Sequence, residues 1–284
     1  MISVIIPLYN KEKSITDTIN SVLNQTFKDF ELIIVNDGSK DNSLSVVNQF
    51  TDKRVKIIDK PNGGVSSARN VGILNAKYEY IAFLDGDDLW APNHLTEIVK
   101  LIEFDESIFI YATQFKKIKN KEELKNNIFD TEILIVDYLD YESTTKTLFS
   151  SSSFAFNKRV LKGLDYYYNE DLKFGEDVDF WYRLSKRKKV LLSNNVTAFY
   201  FTGSENRSDY VMPIKFRFHQ FDFSNKSLTE KKYLGKLVAL IIIDYIMYKD
   251  YTTSFKIYKK YINQSYYIFR YVYLLVKKKI IGLV

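Results

Sequence analysis

Four groups of residues in this chain are of types and spacings that do chemistry. Asp85-Gly86-Asp87-Asp88 ends the apolar run Tyr80-Ile81-Ala82-Phe83-Leu84. Strand periodicity puts Asp85 and Asp87 on one side, where the two carboxylates repel each other. A hard divalent cation relieves that repulsion, and Mg2+ or Mn2+ suits a site of one or two carboxylates completed by substrate phosphate oxygens. The plainer alternative is a polar turn that caps the helix after Pro92. Asp37 is an acceptor-only carboxylate at another run's end, suited to an imide or amide N–H such as that of a pyrimidine, or simply to turning the chain before Gly38. Gly63-Gly64 at a helix start lets backbone approach a phosphate, with Arg69 one turn on as a charge partner; by itself it is also an ordinary turn. Asp177 shares a helix face with Trp181 and Leu184, near a helix N-terminus that favours its ionised form. A carboxylate there, facing a partly apolar cleft, suits taking up a proton; the alternative is an N-cap acid. Asp179 and Arg183 read as an ordinary surface pair four residues apart.

The elements that must position these groups alternate. Ser3-Val4-Ile5-Ile6, closed by Pro7, reads as a buried parallel strand, and Ile15, Ile19, Val22 and Leu23 mark one helix face after Ser14. Glu31 to Asn36, Val55 to Ile58 and Tyr80 to Leu84 are three more strands, with helices through Leu44 and Val47 and through Ala68, Val71 and Ala76. Strand–helix alternation with short joins predicts a doubly wound, mostly parallel α/β sheet with helices on both faces, and such sheets bind ligands beyond the strands' carboxyl ends. The Tyr9-Asn10, Asp37, Gly63-Gly64 and Asp85–Asp88 clusters all fall there. After residue 105 the alternation weakens: residues 116 to 148 read as helix and loop with little sheet, and Ser153 to Phe156 as a strand. Lys158 to Gly163 reads as a short helix and its stop. The expected divisions are 1–110 and 111–225, two halves of one domain, and a basic, aromatic helical extension at 226–284.

Composition narrows the classes. The 284 residues hold no Cys, which excludes disulfides, thiolate metal sites and thiol catalysis, and His94 and His219 are too few for a multi-histidine site. The start, Met-Ile-Ser-Val-Ile-Ile-Pro, has no basic leader or cleavage site, so a cytoplasmic protein is expected. The net charge of +6 is unevenly spread: residues 226–284 carry 12 Lys and Arg against 3 acids, so the body is slightly acidic. An acidic body without a recognised reading helix or RNA-binding sheet argues against a nucleic-acid partner.

Val4-Ile-Ile-Pro-Leu-Tyr-Asn10, Asn24-Gln-Thr26, Val35-Asn-Asp-Gly-Ser39, Asn62 to Asn70, Phe83 to Asp88 and Gly175-Glu-Asp177 occur in the order seen in family 2 glycosyltransferases. Over about residues 1–205 the chain resembles that family. The resemblance implies a GT-A-type nucleotide-sugar-binding fold, a divalent cation, and transfer from a nucleotide diphosphate sugar, expected to be a UDP-hexose, with inversion at the anomeric carbon. Matched by motif position, Pro7 and Tyr9 line the nucleoside pocket and Asp37 receives the base N–H. Gly64, Arg69 and Gly86 lie along the nucleotide sugar, Asp85 by the ribose or metal, and Asp87 on the metal. Asp177 is the general base, with Glu176 and Trp181 toward the acceptor, a saccharide or lipid-linked glycan. Many relatives carry Arg or His in the segment matching Ala198 to Asn206. Here Phe199-Tyr200-Phe201-Thr202-Gly203-Ser204 has neither, and Arg207 and His219 are the nearby substitutes. The rival class is an inactive nucleotide-sugar-binding or scaffold protein on the same fold.

The tail mixes Lys with 10 Tyr and many Ile and Leu. Its apolar runs are shorter than the ~20 residues a spanning helix needs. Lysine-edged aromatic faces suit helices lying on the inner face of a membrane; equally, such helices pack on the body or on another subunit of a homo-oligomer.

Overall fold

All seven side chains of β1 (Ile2–Leu8) are buried, because the strand lies in the middle of a sheet covered on both faces. Val4, Ile6 and Leu8 join the core cluster that holds Ile15, Ile19 and Val22 of α1 (Ile15–Leu23). Ile5 points the other way, toward α3 (Val65–Asn75): a Cβ added at Gly72 would lie 2.4 Å from Ile5 Cγ2, so only glycine lets that helix settle so closely. Each such fully buried Val, Ile or Leu contributes roughly 1.5–3 kcal/mol. The computed structural model describes residues 1–120, 123–124, 131–144, 146–185, 189–203 and 221–281, with side chains in the last helix described to residue 277.

Two compact units emerge, one formed by Met1–Val136 with Phe149–Arg207, the other by Asp137–Leu148 with Ser208–Val284. In the first, β1 pairs in parallel with β2 (Phe30–Asp37) and β4 (Tyr80–Phe83), and β2 with β3 (Val55–Lys60). Between these strands run α1, α2 (Ser43–Val47) and α3, as the alternation predicts. Beyond β4 the sheet turns mixed. Its order is β3-β2-β1-β4-β8-β6-β9-β5, with β8 (Phe154–Asn157) antiparallel between β4 and β6 (Ile110–Ile118). The long β9 (Val190–Phe201) runs parallel to β6. On its other side it takes β7 (Ile133–Val136) and β5 (Leu89–Trp90), both antiparallel. Helix α4 (His94–Phe104) packs against β6 and β9.

One expectation needs correction. Residues 116–118 belong to β6 and 133–136 form β7, so the described part of 116–148 holds sheet. Neither reads as a doubly covered strand: β6 carries the exposed Lys116-Lys117 before the buried Ile118, and β7, though apolar, is four residues long and leaves Leu134 and Ile135 exposed. Their pairing comes from the distant β9, which a local pattern does not reveal.

The second unit is helical: α5 (Tyr138–Glu142), α7 (Leu228–Met247), α8 (Tyr251–Lys260) and α9 (Ser265–Ile281). A capping box between Ser227 and Glu230 starts α7, and Asp250 caps α8 by accepting the Thr253 N–H. Tyr233, Leu234, Val238, Ile241 and Tyr245 on α7 are buried with Ile257, Ile268 and Tyr271. Among the described residues no helix is long and apolar enough to cross a membrane.

Candidate active site

The parallel strands β1, β2 and β4 deliver their carboxyl ends to one edge of the sheet, where short polar contacts lock the loops together. The Asn10 N–H donates to Ser39 Oγ (3.0 Å) and the Lys11 N–H to Ser43 Oγ (2.8 Å). The Gly86 carbonyl accepts from Ser14 Oγ (3.0 Å) and Thr18 Oγ1 (3.2 Å). These bonds hold the Asp85–Asp88 turn over the start of α1, where Pro7 is buried and Tyr9 is 39% exposed.

The three acids of that turn divide their work. Asp88 is buried; it accepts Ser152 Oγ (2.5 Å) and the Phe201 N–H (3.0 Å), tying the turn to β9. Burial, with Asp85 and Asp87 nearby, holds its carboxyl well above the usual range. Asp87 faces the Lys11 ammonium at 2.7 Å, and Asp85 accepts Arg69 Nη2 at 2.9 Å. Among the described residues no three His, Cys, Asp or Glu side chains converge as a metal cage. The donor set fits Mg2+ or Mn2+ held in the two-carboxylate manner: Asp85 and Asp87 offer hard oxygens, and an ammonium already stands against Asp87 as a cation.

Arg69 organises the rest. It is 3% exposed on α3, and its guanidinium bridges Asp85 and Glu176 Oε1 (3.1 Å) while lying over the rings of Tyr168 (5.2 Å) and Phe83 (5.9 Å). Burial opposes its charge, but Asp85, Glu176 and Asp177 outweigh that and raise its pKa. The Tyr168 ring is set by a reciprocal pair, Asn70 Nδ2 to the Tyr168 carbonyl and the Tyr168 N–H to Asn70 Oδ1, each 2.9 Å. Arg69 thus joins the end of β4 to the first turn of α6 (Glu176–Ser185), bringing acids 91 and 92 positions apart into one field.

Asp177 lies in that field. Burial first, then the neighbouring Glu176 charge, push its carboxyl up to about 7, against the pull of Arg69. A carboxyl poised there is half ionised near neutral pH and accepts a proton readily. The same cluster leaves polar atoms unmet: Arg69 Nε and the Tyr168 hydroxyl are buried without a hydrogen-bond partner.

Other sequence-predicted residues land differently. Asp37 is buried, and its carboxylate accepts the N–H groups of Gly63 (2.9 Å) and Gly64 (2.7 Å) and the Lys60 ammonium (2.5 Å). It therefore closes the turn before α3, and the Gly63 and Gly64 amides expected to face phosphate are spent on it. Of about four acceptor positions three are filled, leaving one on Oδ2. Gly64 takes φ of +90°, a glycine conformation, and a Cβ there would meet Lys173 Nζ at 3.1 Å. Trp181 is a core residue rather than acceptor surface: 8% exposed, it packs on Phe149 (5.0 Å) and Phe154 (6.2 Å). Asp179 and Arg183 pair at 2.8 Å largely away from solvent, and Arg183 also donates to the Tyr166 and Tyr167 carbonyls, so the expected surface pair is a brace for α6. Arg207 and His219 lie outside the described residues.

Sequence reasoning missed Lys11, Lys60, Lys173 and Tyr168. Lys60 was findable, since it stands opposite Asp37 in the β2–β3 register. Lys173, whose ammonium donates to the Gly63 carbonyl at 3.3 Å, comes from a loop with no periodic signal.

Residues 3–164 match the glycosyl transferase family 2 model. The chain belongs to glycosyl transferase family 2. Among relatives of this family 2 chain is an uncharacterized glycosyltransferase, EpsJ, of Bacillus subtilis (strain 168), 29% identical over 67% of this chain and 58% of its own length. The hyaluronan synthase of Pasteurella multocida is 29% identical over 81% of this chain and 23% of its own length. The chain thus spans under two thirds of either relative. Of solved structures, S. aureus TarS 1-349 in complex with UDP-GlcNAc aligns with a TM-score of 0.60 at 21% identity, covering 93% of this chain and 72% of that one. The mannosyltransferase PcManGT from Pyrobaculum calidifontis, in complex with GDP-Man and Mn2+, aligns at 0.57 and 16% identity over 98% and 74%. At such identities the likeness is one of fold, the GT-A fold predicted from the sequence.

Proposed function

We propose that this family 2 chain is an inverting glycosyltransferase that moves a hexose from a UDP-sugar to a hydroxyl of a saccharide or lipid-linked glycan. The observation that carries the reading is the Arg69 bridge, which sets Asp85 beside Glu176 and Asp177 with the Asp177 carboxyl raised to about 7. Family membership and the nucleotide-sugar-bound fold relatives support it.

Asp177 takes the proton from the acceptor hydroxyl as that oxygen attacks the anomeric carbon. The bond to the donor's diphosphate breaks on the opposite face, which inverts the centre. Such base catalysis contributes typically ~10²–10⁴-fold. Glu176 and Asp85 share the Arg69 guanidinium, which holds both acids in place while Asp177 cycles its proton. Asp37 has one acceptor position for the base N–H, Pro7 and Tyr9 wall the nucleoside, and Lys11 and Lys173 flank the diphosphate side. Asp87 and Asp85 would hold Mg2+ or Mn2+, which when bound neutralises charge growing on the leaving diphosphate. A lipid-linked acceptor places the work at the inner face of a membrane, in synthesis of cell-surface polysaccharide or lipooligosaccharide.

A thermal-shift screen of nucleotide sugars with and without Mn2+ tests this, because a ligand that prefers the native state raises the melting temperature. UDP-sugars are expected to stabilise the chain, and more so with the cation. No stabilisation by any nucleotide sugar would remove the reading.

A further inference from the structure

Helix α9 is apolar on two sides, and packing accounts for only one of them. Ile268 and Tyr271 face inward and are buried with α7. Tyr266, Phe269, Tyr273 and Val276, spaced three, four and three residues apart, form a second stripe on the outside. On α8, Ser254 and Ile257 are buried while Tyr251 and Phe255, four residues apart, face out. These six outward side chains are 51–70% exposed. The rings of Tyr258 and Phe269 meet at 6.2 Å, so the two helices carry their outer faces side by side.

The charge along this stretch is predominantly positive. Between Ile246 and Lys277 the sequence holds six basic residues and a single acid, Asp250, whose carboxylate is engaged in capping α8. Lys249, Lys256, Lys259, Lys260 and Lys277 are exposed. Lys259 follows Phe255 by one turn, on the same face. Half of the six outward apolar residues are tyrosines, whose rings prefer the headgroup level of a bilayer.

We propose that the outer faces of α8 and α9 dock on an anionic lipid bilayer, lying in its interface with the aromatic stripe among the headgroups and acyl boundary and the lysines on lipid phosphates. The helices are too short and too basic to span, and an amphipathic helix rich in Lys and aromatics lies in the interface plane. A second copy of the chain is the poorer occupant. A two-fold interface sets the same patch against itself and opposes lysine to lysine, whereas anionic lipid is complementary. The proposal deepens the membrane location within the proposed function and rests on that reading for the acceptor; its test reads attachment and not transfer, so either fails without the other.

Flotation of the full chain with vesicles of phosphatidylcholine alone, or with about 30 mol% phosphatidylglycerol, decides it. The chain is expected to float with the anionic vesicles and stay behind with the neutral ones. Phe269→Ser with Tyr273→Ser, and separately Lys256→Glu with Lys259→Glu, should each lower binding by roughly tenfold or more with unchanged thermal unfolding. The tail holds no Trp, so Phe269→Trp adds a reporter whose emission should shift to the blue with anionic vesicles alone. Equal flotation with both vesicles, or charge reversal without effect, overturns the proposal. Absence of flotation together with a dimer that Phe269→Ser dissociates assigns the surface to a second copy instead.

Discussion

Two buried cations, one in each unit, are placed alike and satisfied differently. Lys236 donates to Glu142 Oε2 at 2.7 Å and to the Lys146 carbonyl at 3.3 Å, and lies over the Tyr271 ring at 5.8 Å; Glu142 Oε1 accepts the Leu148 N–H at 2.7 Å. One acid meets one base, and the ammonium has both a carboxylate and a carbonyl to donate to. Arg69 instead stands among three acids, Asp85, Glu176 and Asp177, with its own Nε and the Tyr168 hydroxyl unmet. A balanced buried pair holds helices together. An unbalanced one stores a raised carboxyl, which a packing argument has no use for and proton transfer requires.

Removing each cation is the strongest way to break this comparison. Arg69→Met should cost about 3–5 kcal/mol in denaturant unfolding, because Asp85 and Glu176 lose their partner. Adding Glu176→Gln should recover less than half, since Asp85 and Asp177 remain. Lys236→Met should cost about the same, but adding Glu142→Gln should restore most of it, as the amide still accepts the Leu148 N–H and no charge is left. Equal recovery at the two sites would make them the same kind of pair.

The next effect has a sign that depends on pH. Folded Asp177 holds a proton that the unfolded chain, near the ordinary 3.8, has released, so its contribution to folding declines as pH rises from about 4 to 7. Asp177→Asn carries no such charge. It should be more stable than the parent by about 1–4 kcal/mol at pH 8, with the difference vanishing toward pH 4 in paired thermal melts. A difference constant across pH would mean that Asp177 is not raised by its surroundings.

The smallest expected change is at the turn. Without the Lys11 ammonium at 2.7 Å, Asp87 in Lys11→Met should bind Mn2+ about fivefold more tightly by calorimetry, the equivalent of ~1 kcal/mol. Unchanged affinity would separate Asp87 from the metal.

These contrasts also mark what was legible in the sequence. The β1–β4 half was, because short strands with apolar runs alternate with helices and end in polar clusters at one edge of the sheet. The Asp85, Asp87 and Asp177 positions were legible as an ordered set of motifs. What was hidden is the Arg69 bridge from Asp85 to Glu176, since the partners lie 107 positions from one another along the chain for Arg69 and Glu176. Trp181 was misplaced because its helix face also turns into the Phe149–Phe154 cluster, and spacing on a helix does not say which neighbour fills the space. Strands β6 and β7 were hidden because β6 carries the exposed pair Lys116-Lys117, β7 is four residues long, and both pair with the distant β9.

The pH dependence of single-turnover transfer, measured on the parent and on Asp177→Asn with saturating donor and acceptor, tests the central claim most directly. The parent should rise to a plateau with its midpoint near 7. The Asn protein should bind donor equally well and turn over about 10²–10⁴-fold more slowly with that limb gone. An Asn protein that keeps the parent's rate and the same limb would contradict the assignment of Asp177 as the base.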